Sequence, residues 1–145
     1  FEGGTPNIPG IFGLNAALKY LKEKGLSSIK DHEMKLTKLF LDNIKDIKEI
    51  KILGLPSAEN RTSVVSIDFP KGDNGQISHM LSKNHGISVR CGLHCAPSAH
   101  KTLGTFPNGT VRFAFGSFNT EDDVLYAVNA IKEVIASSDN NTLCF

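Results

Sequence analysis

From position 90 to 101 the chain reads RCGLHCAPSAHK, a stretch compatible with two different chemistries. His94 precedes Cys95, and Arg90, His100 and Lys101 lie within a few residues. A thiol is a nucleophile in its thiolate form, which nearby cations, imidazoles and helix N-termini favour. Most cysteines are small buried hydrophobes. Cys95 instead stands among Gly, Pro and His, which argues for reactivity. Ser98-Ala99-His100-Lys101, in turn, has the form in which some cofactor enzymes present a Schiff-base lysine. The local pattern leaves both open. A zinc site on Cys91, His94, Cys95 and His100 is a weaker reading, because a closed site needs four ligands and usually a second knuckle, which is absent.

A second candidate lies downstream. Arg112 interrupts the otherwise apolar run from Val111 to Phe115. A guanidinium buried there needs an anionic partner, either an internal carboxylate or, by bidentate bonding, the carboxylate of a substrate. Cys91 closes a predicted strand and reads as a packed or bystander thiol, and Cys144 in the tail reads as inert. His32, His79 and His85 read as surface or helix-end histidines, and Lys30, Lys35, Lys38 and Lys45 as a solvated helix face.

The elements that must position these residues are legible from periodicity. Ile11, Leu14, Ala17, Leu18 and Leu21 recur at helical spacing between about Ile8 and Lys24, and Gly25 offers a stop. Ser27 or Ser28 caps a second helix with the stripe Ile29, Leu36, Leu39, Phe40, Ile44 and Ile47, ending near Asp46 to Lys48. Lys51 to Gly54 is a short strand, and Ser63 to Phe69 has the β-branched content and the following Pro70-Lys71-Gly72 turn of a half-buried one. Asn74 to His85 reads as a helix closed by Gly86, then Ile87 to Arg90 as a strand. Cys91 to Asn108 is irregular apart from one helical turn around Ser98 to Leu103, and long irregular stretches are where sites tend to sit. Thr110 to Phe115 is a strand, and Asn119 to Asp123 caps a last helix that buries Val124, Ala127, Val128, Ile131 and Val134. The expected fold is α/β (α+β): a small, mainly antiparallel sheet covered by helices.

Composition narrows the partners. With 145 residues, 40% hydrophobic and 21% charged, one domain with a real core is the default. A net charge of +1 with both signs scattered gives no basic stripe for a phosphate backbone and no polybasic segment for a membrane surface, so neither nucleic acid nor membrane is expected. No apolar run approaches the ~20 residues that span a bilayer. Three cysteines without a framework spacing fit a reducing compartment, read here as cytoplasmic. The opening Phe1-Glu2-Gly3-Gly4-Thr5-Pro6 reads like the middle of a longer chain.

Taken in order, Phe1-Glu2-Gly3-Gly4-Thr5-Pro6-Asn7, Arg90-x-Gly92-x-His94-Cys95-Ala96, Val111-Arg112-Phe113 and Gly116-x-Phe118-Asn119-Thr120 resemble the C-terminal part of a cysteine desulfurase of the class V aminotransferase superfamily. The group that includes selenocysteine lyases is the closer match. The resemblance runs from residue 1 to about 136. It implies a small C-terminal domain at 26–136 in a homodimeric fold type I enzyme dependent on pyridoxal 5'-phosphate. Residues 1–25 would lead from the large domain, and 137–145 would be a flexible tail. The activity implied is removal of sulfur from L-cysteine, leaving L-alanine, with a sulfur-acceptor protein as partner and iron-sulfur cluster assembly among the pathways served. By the same resemblance Cys95 matches the persulfide-forming cysteine, Arg112 the arginine on the substrate carboxylate, and Arg90 a second arginine nearby. Thr5, with Gly4 beside it, lies in the segment that reaches the cofactor phosphate across the dimer. The family's cofactor lysine precedes the Gly-Thr-Pro segment, so Lys101 is a decoy on that reading and the chain alone is expected to be inactive. The alternatives are another class V enzyme (a selenocysteine lyase or aminotransferase), a non-catalytic interaction domain, or a zinc-binding domain.

Overall fold

The computed structural model describes residues 3–141, with side chains as far as Ser138. Cys144, Phe1 and Glu2 therefore lie outside the described residues. Its elements are α1 (Ile8–Lys24), α2 (Leu26–Ile44), β1 (Lys51–Leu53), β2 (Val64–Asp68), α3 (Asn74–His85), β3 (Arg90–Gly92), α4 (Pro97–Leu103), β4 (Thr110–Ala114) and α5 (Glu121–Asn141). The strands form one antiparallel sheet in the order β1-β2-β4-β3.

Alternation along the strands decides which face is covered. Val65 and Ile67 of β2 and Val111 and Phe113 of β4 point into the core, at most 4% exposed. There they meet Leu36, Phe40 and Ile44 of α2, Ile77 and Leu81 of α3, and Val124, Val128, Ile131 and Val134 of α5. Phe40 is the centre of this layer, with its ring 5.1 Å from those of both Phe113 and Phe115. The intervening strand positions, Ser66 and Arg112, are half-buried on the opposite face, which no helix covers to the same depth.

Helix ends follow the side-chain chemistry of the sequence. Asp73 accepts from the Gln76 N–H to open α3, and Gly86, at φ 66°, closes it by donating to the carbonyls of Leu81 and Ser82. Thr120 and Asp123 exchange bonds across the start of α5, each side chain accepting from the other's backbone N–H, a reciprocal cap.

Three expectations shift. The second helix starts at Leu26 with Gly25 in the cap position and no side-chain cap bond, so neither Ser27 nor Ser28 caps it, and it ends at Ile44. The strand expected at Ile87 to Arg90 is found at Arg90–Gly92 instead. Ile87 spends its N–H on the Leu81 carbonyl at 3.0 Å, so the residues after Gly86 belong to the exit of α3 rather than to the ladder. The last helix runs on to Asn141 rather than giving way to a tail at 137. The remaining tail residues, 142–145, lie outside the described part.

The first helix forms where its periodicity places it, yet none of its residues is buried. Its attachment is through Tyr20, which stacks on Phe118 at 5.4 Å and bonds Ser117 through its hydroxyl at 3.5 Å.

Candidate active site

Cys95 sits at a reversal of the chain just beyond the sheet edge. After Gly92, the Ala96 N–H donates to the Leu93 carbonyl at 2.8 Å, closing a tight turn whose central residues are His94 and Cys95. Both have left-handed backbones, φ 50° and 59°. Glycine and asparagine usually fill such mirror-image turns, so two ordinary side chains here are held under strain. The result is an exposed Cys95 directly ahead of α4, which Pro97 opens.

The footing of this turn is built from small residues. A Cβ on Gly109 would lie 2.2 Å from the Gly92 carbonyl, so the two backbones touch in a way only glycine allows. Asn74, 6% exposed, ties this footing to the core. Its amide donates to the Gly109 carbonyl and to Asp68, both at 3.0 Å, and its oxygen accepts from the Phe69 N–H at 3.1 Å.

His94 leans back over β4. Its Nε2 lies 3.2 Å from the Thr110 carbonyl and 3.4 Å from the Thr110 hydroxyl; the carbonyl can only accept, so the ring that serves it carries its proton on Nε2 and a lone pair on Nδ1. Nδ1 is buried and has no hydrogen-bond partner. The His94 pKa lies below the ordinary histidine value, chiefly because burial penalises the charged ring, and next because Arg112 is close. The Thr110 bond opposes this, while His100 and Arg90 add to it.

Strand register sets the two arginines together. Arg90 pairs with Arg112, and Arg112 with Ser66, in one row across the uncovered face. Like charges directly opposite one another destabilise a ladder. Among the described residues the ion pairs are Lys35–Glu121, Lys38–Asp42, Lys45–Asp42 and His85–Glu133, none reaching either guanidinium. Arg112 is thus half-buried rather than fully buried, and without the internal carboxylate that the sequence left as one option. A guanidinium pair without an ion-pair partner among the described residues is suited to receive an anion such as a carboxylate.

The other candidates separate from this group. Lys101 Nζ lies 5.2 Å over the Phe106 ring, and His100 Nδ1 meets the Thr105 hydroxyl at 2.7 Å. Both side chains of the Ser-x-His-Lys element are therefore engaged in holding the loop that follows α4. Cys91 is exposed on the other side of β3, lining a cleft of about 400 Å³ with Asp73, Asn74 and Asn108. Gly4 and Thr5 are exposed ahead of α1. Among the described residues no cluster of three His, Cys, Asp or Glu side chains could hold a metal, and no helix is long and apolar enough to cross a membrane.

Two supporting residues escaped the sequence reading. Thr110 appeared only as a strand residue, because its contact with His94 depends on the β3–β4 register. Gly109 left a faint signal in the turn-forming Asn108-Gly109 pair.

Comparison with known proteins places this geometry among relatives. Residues 1–126 match the family model described as aminotransferase class-V. Curated relatives include a probable cysteine desulfurase of Pseudomonas putida, 35% identical over 133 residues that make up 92% of this chain and 31% of that protein. Another, from Ureaplasma parvum, is 36% identical over 92% of this chain and 32% of its own length. The chain thus spans about a third of the length of these relatives. Among solved structures, an apo cysteine desulfurase from Thermococcus onnurineus superposes with a TM-score of 0.84 at 34% identity, covering 94% of this chain and 33% of that one. The Escherichia coli cysteine desulfurase CsdA, in an S-sulfonic acid form, gives 0.82 at 28% identity, with 95% and 33% covered.

Proposed function

Because the chain belongs to the class V aminotransferase family, we propose that it serves as the C-terminal domain of a pyridoxal-phosphate-dependent cysteine desulfurase, with Cys95 as the sulfur acceptor. The observation that carries this reading is the exposed Cys95 turn that follows β3, the strand whose Arg90 pairs with Arg112, where no acid of the described chain neutralises either guanidinium. Curated relatives named as cysteine desulfurases support the same activity.

On this proposal Arg112 holds the α-carboxylate of L-cysteine in a bidentate grip, and Arg90 beside it adds to the positive potential that draws the substrate in. The Cys95 thiolate attacks the substrate sulfur. An S–S bond forms, the substrate Cβ–S bond breaks, and the electron pair left on carbon takes up a proton, giving L-alanine and a Cys95 persulfide. Accommodating that electron pair is the chemistry pyridoxal phosphate supplies when bound. Its lysine would come from outside this chain, and Thr5 and Gly4 would meet its phosphate across a homodimer. An exposed turn also suits delivery of the persulfide to a sulfur-acceptor protein.

The deciding experiment is Cys95→Ser in the full-length protein, assayed for alanine and for sulfide release from L-cysteine. Loss of both, with the cofactor absorbance retained, is the expected outcome. Desulfuration of cysteine that survives the substitution would sink the assignment and leave amino-group transfer or another class V reaction in its place.

A further inference from the structure

We propose that His94 is a positioning residue for the Cys95 thiol: as a neutral ring pegged through Nε2–H to the Thr110 carbonyl, it holds the strained turn on which Cys95 stands. The inference rests on the reading of Cys95 as the sulfur acceptor and adds a residue that the reading does not use.

Three observations carry it. First, His94 and Cys95 are consecutive and both left-handed. Such backbones persist only where surrounding contacts over-determine them, and the Ala96 to Leu93 bond closes the turn without fixing its tilt against the sheet. Second, His94 Nε2 reaches from the turn to the carbonyl of Thr110, a residue 1% exposed and seated in the sheet, and so ties the turn to β4. Third, the remaining ring nitrogen is buried and unpartnered. A proton there would become a buried donor without an acceptor, on a ring already within the repulsive field of Arg112 of β4, His100 of α4 and Arg90 of β3. The ring therefore does its work neutral, and acid would add a third cation to the guanidinium row and press the turn away from it.

Two substitutions separate this role from a purely conformational one. Asparagine accepts a left-handed backbone routinely, through local bonding of its short side chain, but its amide is too short to reach Thr110. Glutamine has no such backbone advantage, yet its longer amide can replace the Nε2–H. In the full-length protein carrying Cys91→Ser and Cys144→Ser, His94→Asn is expected to lower kcat by roughly tenfold or more, with KM for cysteine little changed. His94→Gln is expected to recover most of that loss. The rate of Cys95 alkylation by iodoacetamide should show an acid-side inflection below the ordinary histidine range, absent from both variants. An Asn variant as active as the parent, or an alkylation profile identical in all three proteins, would overturn the proposal. Failure of the parent protein to release sulfur from cysteine would instead count against the desulfurase reading, while the alkylation comparison would still decide the role of His94.

Discussion

The guanidinium row depends on geometry that lysine cannot copy. Arg112 is half-buried beside Arg90, and its planar fork can bond both oxygens of a carboxylate, whereas an ammonium at the same place is a point charge. Arg112→Lys in the full-length protein should therefore lower kcat/KM for cysteine by about tenfold to a hundredfold, the loss of one or two good charge-assisted bonds. It should do so mainly through KM, since on the proposed reading the fork binds the substrate carboxylate before sulfur moves. An unchanged KM would place the carboxylate elsewhere. His94 adds a pH dependence of definite sign. Its folded pKa is depressed, so the unfolded chain holds the proton more tightly, and stability is unaffected above the ordinary histidine range. Stability should fall as the pH drops through that range and level off once the folded ring is protonated too. Cys95, Arg90 and Arg112 could be nominated from the sequence because residue type and chain order carry them. The partnership of His94 with Thr110 could not, because it exists only once β3 and β4 are in register.

The strands and helices were legible to the extent that a single periodicity or cap governs them. Asn74–His85 emerged with both its ends, since Asp73, Asn74 and Gly86 mark them chemically. The strand before Cys95 was misplaced because Ile87-Ser88-Val89 has β-branched content, while the capping bond from Ile87 that keeps it out of the ladder is a tertiary outcome of the α3 exit. This displacement matters to the site: it makes Gly92 the last strand residue and brings it against Gly109. A methyl on Gly109 would meet the Gly92 backbone at 2.2 Å, and Gly109 itself is left-handed at φ 71°. Gly109→Ala should accordingly destabilise the fold by more than about 1 kcal/mol, seen as a lower midpoint in urea. Because β3 must shift to admit the methyl, the Cys95 turn should be displaced as well, and alkylation of Cys95 should change even in protein that remains folded. A variant with unaltered midpoint and alkylation rate would show that the two backbones separate freely.

Across the molecule, burial is complete around Phe40 and nearly absent on α1. Ile11, Leu14, Leu18 and Leu21 form one stripe along that helix, and they are 54%, 62%, 55% and 37% exposed. Their spacing announced an amphipathic helix, but periodicity says only that a face is apolar and not what covers it. Within the described chain α1 is held instead by Tyr20 on Phe118, from outside the stripe. A contiguous exposed apolar stripe calls for a cover, and the relatives, of whose length this chain spans about a third, have additional sequence that could provide one. The stripe is therefore expected to be an internal surface of the full-length protein. Leu14→Glu combined with Leu18→Glu tests this in two settings. In the chain of residues 1–145 expressed alone, the pair should reduce binding of a hydrophobic dye and self-association without loss of helix content, because the substituted positions already face water. In the full-length protein the same pair should lower the melting temperature, because each carboxylate would then be forced into an apolar contact without a partner. Equal melting of the parent and doubly substituted full-length proteins would mean that the stripe stays in water there too, and that α1 has some role other than packing against further sequence.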